Sequence, residues 1–253
     1  MTSAYSQNGF LLIDKPTGMT SHDVVAIVRK KTGIKRVGHA GTLDPFATGL
    51  LIILIGREQT KRQSEFLTMD KTYEAVIRLG ATSTTDDCTG EITPSFSMCH
   101  SRACLSGRQE GENSEKKENA PQGLDPRLHG YDKINSVSLS KIQHTISSFI
   151  GTFEQMPPNF SAKKIKGKKA YELARAGIHP DLKPKRITIH SLELLSYVWP
   201  LLKINVSVSS GTYIRALARD IGAHLECGAY CEELIRTSIG PFHLKDSAAI
   251  SEL

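Results

Sequence analysis

Asp44 stands in the run Gly38-His39-Ala40-Gly41-Thr42-Leu43-Asp44-Pro45-Phe46-Ala47-Thr48-Gly49-Leu50-Leu51. Three glycines and a proline within twelve residues specify a tight, irregular loop held by a rigid element, a common setting for a reactive side chain. An aspartate before proline can equally be a turn former, and His39 between small residues can be a turn histidine or a functional one. If Asp44 works as an ionised carboxylate in a closed pocket, burial alone would raise its pKa and neutralise it, so a cation is required nearby. Arg215 falls in the first turn of an expected helix, where a positive charge opposes the macrodipole and calls for an anion against it. Asp44 is the candidate anion; the alternative is a surface arginine whose stem lies along the core edge. Tyr73, on an expected strand, is either an aromatic platform or a core-edge tyrosine.

The elements that would position these groups can be read from periodicity. Phe10–Ile13 is a short buried strand broken by Lys15-Pro16-Thr17-Gly18. A helix starts at Thr20 or Ser21, carries Val24, Ile27 and Val28 on one face, and stops at Gly33. Leu50–Ile55 is a strand buried on both faces, and Tyr73–Leu79 a half-buried strand. Ile142, Ile146, Phe149 and Ile150 mark a helix ended by Gly151. In Lys203–Ser209, Ile204, Val206 and Val208 alternate with polar residues, the cleanest period of two in the chain. Ser210-Gly211-Thr212 then leads into a helix with Ile214, Leu217, Ala218, Ile221 and Leu225 on one stripe. Strands and helices intersperse without a strict βαβ rhythm, which predicts an α+β fold: a mixed, largely antiparallel central sheet flanked by helices.

The chain has 253 residues, 39% of them hydrophobic and 23% charged, which excludes wholesale disorder and collagen-like structure. The longest apolar run is the six residues Leu50–Ile55, far short of the ~20 that cross a membrane as a helix. The N-terminal stretch lacks the basic start and apolar core of a signal peptide, so a cytoplasmic location is expected. Five cysteines, an odd number in no CxxC pair, are expected to be free thiols, and no metal site is expected. Of the net charge of +6, a window from Lys163 to Arg186 carries +7, leaving the rest about neutral. With the cluster Arg29, Lys30, Lys31, Lys35 and Arg36, it reads as a phosphate-backbone footprint or as a solvated lysine-rich face. Residues 94–136, rich in Ser, Gly, Asn, Glu and Lys, are expected to form a disordered insertion.

The loop GHAGTLDPFATGLL resembles the catalytic loop of the TruB-type tRNA pseudouridine synthases. Other blocks agree in the family's order: LLIDKPTGMTSHDVV, KTYEAVIRLGATSTTDD, QMPPNFSAKKIKGKKAYELARAG, SSGTYIRALARDIGAHL and ELIRTSIGPF. The resemblance implies a catalytic domain over residues 8–246, interrupted by the 94–136 insertion and carrying a basic RNA-gripping segment at 155–190. It makes Asp44 the nucleophile, Tyr73 the aromatic that stacks on the target uracil, and Arg215 the basic partner of Asp44. Tyr213 and Leu234 would complete the pocket wall. His39 would support the extruded nucleotide or fill its vacated space, and Lys15 would shape the substrate site. Lys163, Lys164, Lys166, Lys168 and Arg236 would meet the RNA backbone. No cofactor is implied, because the reaction is an isomerisation.

The implied substrate is uridine 55 in the TΨC loop of tRNA, gripped at the T stem-loop by a monomer without guide RNA. Two departures stand out. Leu234 is followed by Ile235 and Arg236 where the family usually has two arginines, so one phosphate contact is expected to be missing. The chain stops soon after Gly240-Pro241-Phe242, where many relatives continue into a small RNA-binding domain, so a short form with a weaker acceptor-end grip is expected. Competing readings are a dyskerin-like enzyme directed by guide RNA, and an RNA-binding or RNA-folding module in which Asp44 is only a turn residue.

Overall fold

Alternating side chains need a sheet with one wet and one dry face, and unbroken apolar runs need cover on both. The computed structural model describes residues 9–95, 137–158, 160, 164–165, 168–169 and 182–253, and satisfies both demands in one large sheet. In chain order come β1 (Phe10–Lys15), α1 (Ser21–Thr32), β2 (Val37–Ala40), β3 (Thr48–Ile55), α2 (Gly56–Lys61), α3 (Gln63–Leu67), β4 (Lys71–Leu79), β5 (Ala81–Ser83) and β6 (Ile92–Pro94). They are followed by α4 (Leu139–Ser148), β7 (Gly151–Gln155), β8 (Lys164–Ile165), β9 (Lys168–Lys169), β10 (Lys185–Val198), β11 (Leu201–Val208) and α5 (Ile214–His224). Last come β12 (Ala229–Ile239), β13 (Phe242–His243) and β14 (Ala248–Ala249). Among the described residues no helix is long and apolar enough to cross a membrane.

Ten strands form the main sheet, in the order β14-β1-β3-β12-β4-β11-β10-β7, with β2 on β3 and β13 on β12. All pairings are antiparallel except β1 with β14 and β3 with β12, so the mixed, largely antiparallel α+β architecture is observed. The core lies in three patches. Leu51 and Ile53 of β3 pack with Val24, Val25 and Val28 of α1, while Leu50, Ile52 and Leu54 pack on the opposite face with Phe66 of α3. That two-sided cover explains the unbroken run. The largest patch joins Ala75 and Ile77 of β4, Ile204 and Val206 of β11, Ile142 and Ile146 of α4, and Leu217 and Ile221 of α5.

Local signals explain the helix ends. Thr20 caps α1, its hydroxyl accepting from Asp23 N while the Asp23 carboxylate accepts from Thr20 N, and Gly33 closes it in the left-handed conformation at φ 70°. On α1 it is Val25, not Ile27, that is buried with Val24 and Val28. α4 ends two residues earlier than expected: Phe149 is the C-cap and stays in the core, whereas Ile150 lies outside the helix and is 49% exposed. Within the helix itself Ile142, Thr145 and Ile146 are buried.

The expected insertion lies, from residue 96 to 136, outside the described residues. So do Lys163, Lys166 and half of the 155–190 segment, whose described parts include the end of β7, the two-residue strands β8 and β9 carrying Lys164 and Lys168, and the start of β10. Cys88, Cys227 and Cys231 are free thiols, as expected. Among the described residues no group of His, Cys, Asp and Glu could hold a metal.

Candidate active site

The loop between β2 and β3 is pinned from two sides. From the β1–α1 side, Lys15 Nζ donates to the carbonyls of Pro16 and Met19 at 2.8 Å each and of Pro45 at 3.4 Å. Gly18 N donates to Pro45 O at 2.8 Å, and Leu43 N donates to Ser21 Oγ at 2.9 Å. From the β12 side, Arg236 Nε donates to Leu50 O at 2.8 Å and Nη2 to Gly41 O at 3.0 Å. Gly49, at φ 98°, lets the loop meet β12: a Cβ there would lie 2.5 Å from Arg236 O. Asp44 is thus presented by a loop whose backbone is held by groups from both halves of the chain.

Arg215 reaches Asp44 from the first turn of α5. Its Nη2 donates to Asp44 Oδ1 at 3.2 Å, and Nε lies 2.9 Å from Oδ2, an ion-pair contact off the line of a hydrogen bond. The rest of the guanidinium donates to Asp87 Oδ2 and to the carbonyls of Thr85 and Phe160, at 2.9, 3.0 and 3.1 Å. The N-terminus of α5 is itself held by Gln155, 2% exposed, whose side-chain amide accepts from Tyr213 N and donates to Tyr213 O. Two carboxylates therefore answer the cation that opposes the helix dipole.

The electrostatic balance differs from the expectation that Arg215 alone keeps Asp44 well ionised. Burial pushes the Asp44 carboxyl above its ordinary range; Arg215 pulls it back only in part, because Asp87 competes for the same guanidinium and adds its own repulsion. The Asp44 side chain nevertheless keeps 37% of its surface, against 5% for Arg215, so the carboxylate faces open space while its partner is walled in.

That space is a cavity of about 390 Å³ walled by Asp44, Tyr73, Tyr213, Arg215, Leu234 and Arg236 together with Lys71 and the β11–α5 turn. The structure thus gathers Asp44, Tyr73, Arg215, Tyr213 and Leu234 around one chamber, though they are spread over 191 positions of sequence. Tyr73, 8% exposed, sits on β4 opposite Val206 of β11 and Arg236 of β12.

Two expected site residues, Arg236 and His39, stand elsewhere than expected, and Lys15 acts from behind the loop. Lys15 has no exposed surface and cannot touch a substrate; it shapes the site through the loop carbonyls, and burial pushes its pKa down to about 8. Arg236 was expected on the RNA backbone but is 1% exposed, its guanidinium consumed by loop carbonyls, so it braces the Asp44 loop from inside. Its position two residues after Leu234 on one strand puts both on the same inward face, a signal already present in the sequence. His39 lies on β2 rather than in a turn and is not part of the cavity wall; its Nδ1 is buried without a partner, edge-on to His22 with ring centroids 5.2 Å apart. Burial pushes its pKa down to about 4.

Asp87 was not expected. It is 3% exposed, and besides Arg215 it accepts from Thr85 Oγ1, Thr89 N and Thr89 Oγ1 at 2.7, 2.9 and 2.6 Å. Its run Thr-Thr-Asp-Asp reads as a turn, and only the contact with Arg215 across the fold reveals it.

The sequence pattern described as "TruB family pseudouridylate synthase (N terminal domain)" matches residues 29–106 and 116–214. The chain is 40% identical over 238 residues to "tRNA pseudouridine synthase B" of Protochlamydia amoebophila, covering 94% of this chain and 76% of that protein. It is 38% identical over 240 residues to the protein of the same name from Chlamydia pneumoniae, covering 95% and 86%. Among solved structures, a crystal structure of a Cbf5-Nop10-Gar1 complex contains a chain with TM-score 0.65 and 24% identity, over 98% of this chain and 54% of that one. A structure of an H/ACA RNP bound to a substrate RNA containing 2′-deoxyuridine gives TM-score 0.63 and 23% identity, over 98% and 52%. The chain spans about half the length of these solved chains, and the likeness to them is one of fold.

Proposed function

Because the chain belongs to the TruB family of pseudouridylate synthases, we propose that it acts on tRNA, converting the uridine at position 55 of the TΨC loop to pseudouridine. The observation that carries this reading is the Asp44 carboxylate, gripped from behind by Arg215 and open in front to a cavity walled by Tyr73 and Leu234. A uracil inside a folded loop is unreachable by such a recessed group, so the nucleotide must be extruded into the chamber. Tyr73 supplies the face on which the base stacks, with Leu234 and Tyr213 closing the sides.

Asp44 acts as the nucleophile that permits the N1–C1′ bond to break. The uracil then turns, C5 bonds to C1′, and the proton on C5 is replaced by one on N1. Atoms and electrons balance without a co-reactant. Arg215, fixed by Asp87 and two carbonyls, holds the carboxylate in line rather than following it, which spares reorganisation at the reacting centre. Lysines of the 155–190 segment grip the stem-loop phosphates by charge and shape, without guide RNA, and the enzyme works as a monomer in the cytoplasm.

The test is site-specific mapping of pseudouridine in tRNA incubated with the purified chain alone, beside Asp44→Asn. Product at position 55 that vanishes in the variant while tRNA still binds is the expected result. Wild-type rates from Asp44→Asn would overturn the catalytic assignment. A requirement for added guide RNA would instead favour the dyskerin-like reading.

A further inference from the structure

The cavity is electrically lopsided. In its wall Asp44 meets Arg215, which is already neutralised by two carboxylates. Lys71 and Ser210 also stand in the wall, and the Lys185 amine, just behind it, packs against Gly211 and donates to Ser210 O at 3.0 Å. Gly211, at φ 82°, is what admits that amine: a Cβ on it would fall 1.7 Å from Lys185 Nζ.

Lys71 is 7% exposed and, among the described residues, donates to the carbonyls of Leu67 and Met69 alone, leaving one of its three ammonium protons without a described acceptor. Arg236, next in line, likewise has carbonyl partners only. None of Lys71, Lys185 and Arg236 forms an ion pair with a described carboxylate; the nearby Asp70, whose carboxylate lies 3.2 Å from His190 Nε2, offsets the Lys71 charge only in part. Burial and the positive charge of Arg236 together push Lys71 down to about 8. Lys71 and Arg236 are buried and Lys185 is exposed; carbonyls satisfy hydrogen bonds without cancelling charge, so the two buried cations are costly unless an anion comes to them, and the exposed Lys185 amine is free to meet the same anion.

We propose that the Lys71–Lys185–Ser210 group at the cavity is a phosphodiester subsite, which receives a backbone phosphate flanking the nucleotide whose base stacks on Tyr73. The inference rests on the pseudouridine synthase reading and deepens it. Lys71 and Lys185 donate to the phosphate's free oxygens, and the distance between this anchor and Asp44 sets how far the nucleotide enters. Both ends of one nucleotide are then held before chemistry, and a free uridine lacks the second handle.

The decisive experiment uses RNA hairpins of T-arm sequence in which one linkage flanking the target is a neutral methylphosphonate, with wild type, Lys185→Ala and Lys71→Met. On all-phosphate hairpin, each variant should lose roughly tenfold in kcat/KM, the scale of one charge-assisted hydrogen bond. At one flanking linkage the methylphosphonate should impose that loss on wild type, and the variants should then add less than twofold. Losses that multiply at every flanking linkage would overturn the subsite while leaving the enzyme reading intact. A wild type that modifies no hairpin would count against the enzyme reading instead. Inorganic phosphate, titrated without RNA, reads the subsite independently of turnover. It should raise the Tm of wild type and not of either variant, and an equal rise in all three would refute the subsite. Circular dichroism confirms that the variants fold.

Discussion

Substituting Asp87→Asn isolates the second carboxylate on Arg215. The change keeps the shape of the side chain but removes its charge and one acceptor oxygen. Four donors converge on Asp87: the guanidinium at 2.9 Å, two threonine hydroxyls and one backbone N–H. An amide can satisfy the threonines only by turning its NH2 toward Arg215, donor against donor. Breaking a buried pair by removing one partner costs about 3–5 kcal/mol; Arg215 retains Asp44, which places the expected loss near the lower end, about 3 kcal/mol. For a chain of this size that lowers Tm by about 6–12 °C. A guanidinium displaced by about 1 Å should reduce kcat roughly 100-fold with KM little changed. The pH dependence supplies a separate check. Asp87 raises the Asp44 pKa, so its neutralisation leaves Arg215 less opposed and moves the acid limb of kcat/KM to lower pH. The assays are urea and thermal unfolding and single-turnover pseudouridine formation across pH. Wild-type Tm and kcat, or an acid limb that moves upward, would show that Asp87 does not hold Arg215 in the way described.

Asp44→Asn should abolish product yet leave Tm at pH 7 at or above that of wild type. The folded-state pKa of Asp44 is raised, so ionisation costs the fold stability as pH rises, a cost the amide avoids; the two proteins should converge near pH 3, and a variant several degrees less stable at pH 7 contradicts this. His39, whose pKa falls to about 4, must stay neutral in the fold. Wild type should therefore lose about 2 kcal/mol relative to His39→Gln between pH 6.5 and 4, measured by urea unfolding, and parallel curves would disprove it. Gly49→Ala should destabilise by about 2–4 kcal/mol, since the new Cβ meets the Arg236 backbone at 2.5 and 2.8 Å; an unchanged unfolding midpoint would mean the loop and β12 are not in contact there.

What the sequence disclosed depended on how local the cause was. Thr20 and Gly33 announce the ends of α1 because capping is settled within four residues. Ile204, Val206 and Val208 announce β11 because a pleat repeats every two. The Gly-Pro-rich loop pointed to Asp44, and the dipole argument correctly demanded an anion beside Arg215. Long-range electrostatics were not legible: Asp87 is 128 positions from Arg215, and nothing near it distinguishes a buried ligand of a guanidinium from a solvated turn. Charge type also misled. Arg236 suggested a surface contact with phosphate, whereas its parity with Leu234 on β12 places it inside.

β12 lies between β3 and β4, yet it is made after both, more than 170 residues beyond the start of β3 and 150 beyond that of β4. As synthesis proceeds, β4 must wait with the edge that β12 will take bare along its whole length, a template for unwanted pairing with another chain, whereas β3, already flanked by β1 and β2, lacks only the contact at Thr48 and Gly49. Leu234 and Arg236 arrive on the inserting strand, so the chamber closes only when this late keystone slides home. Closure of the chamber is thereby tied to completion of the sheet: a nascent chain that has not yet delivered β12 has the Asp44 carboxylate but no chamber around it.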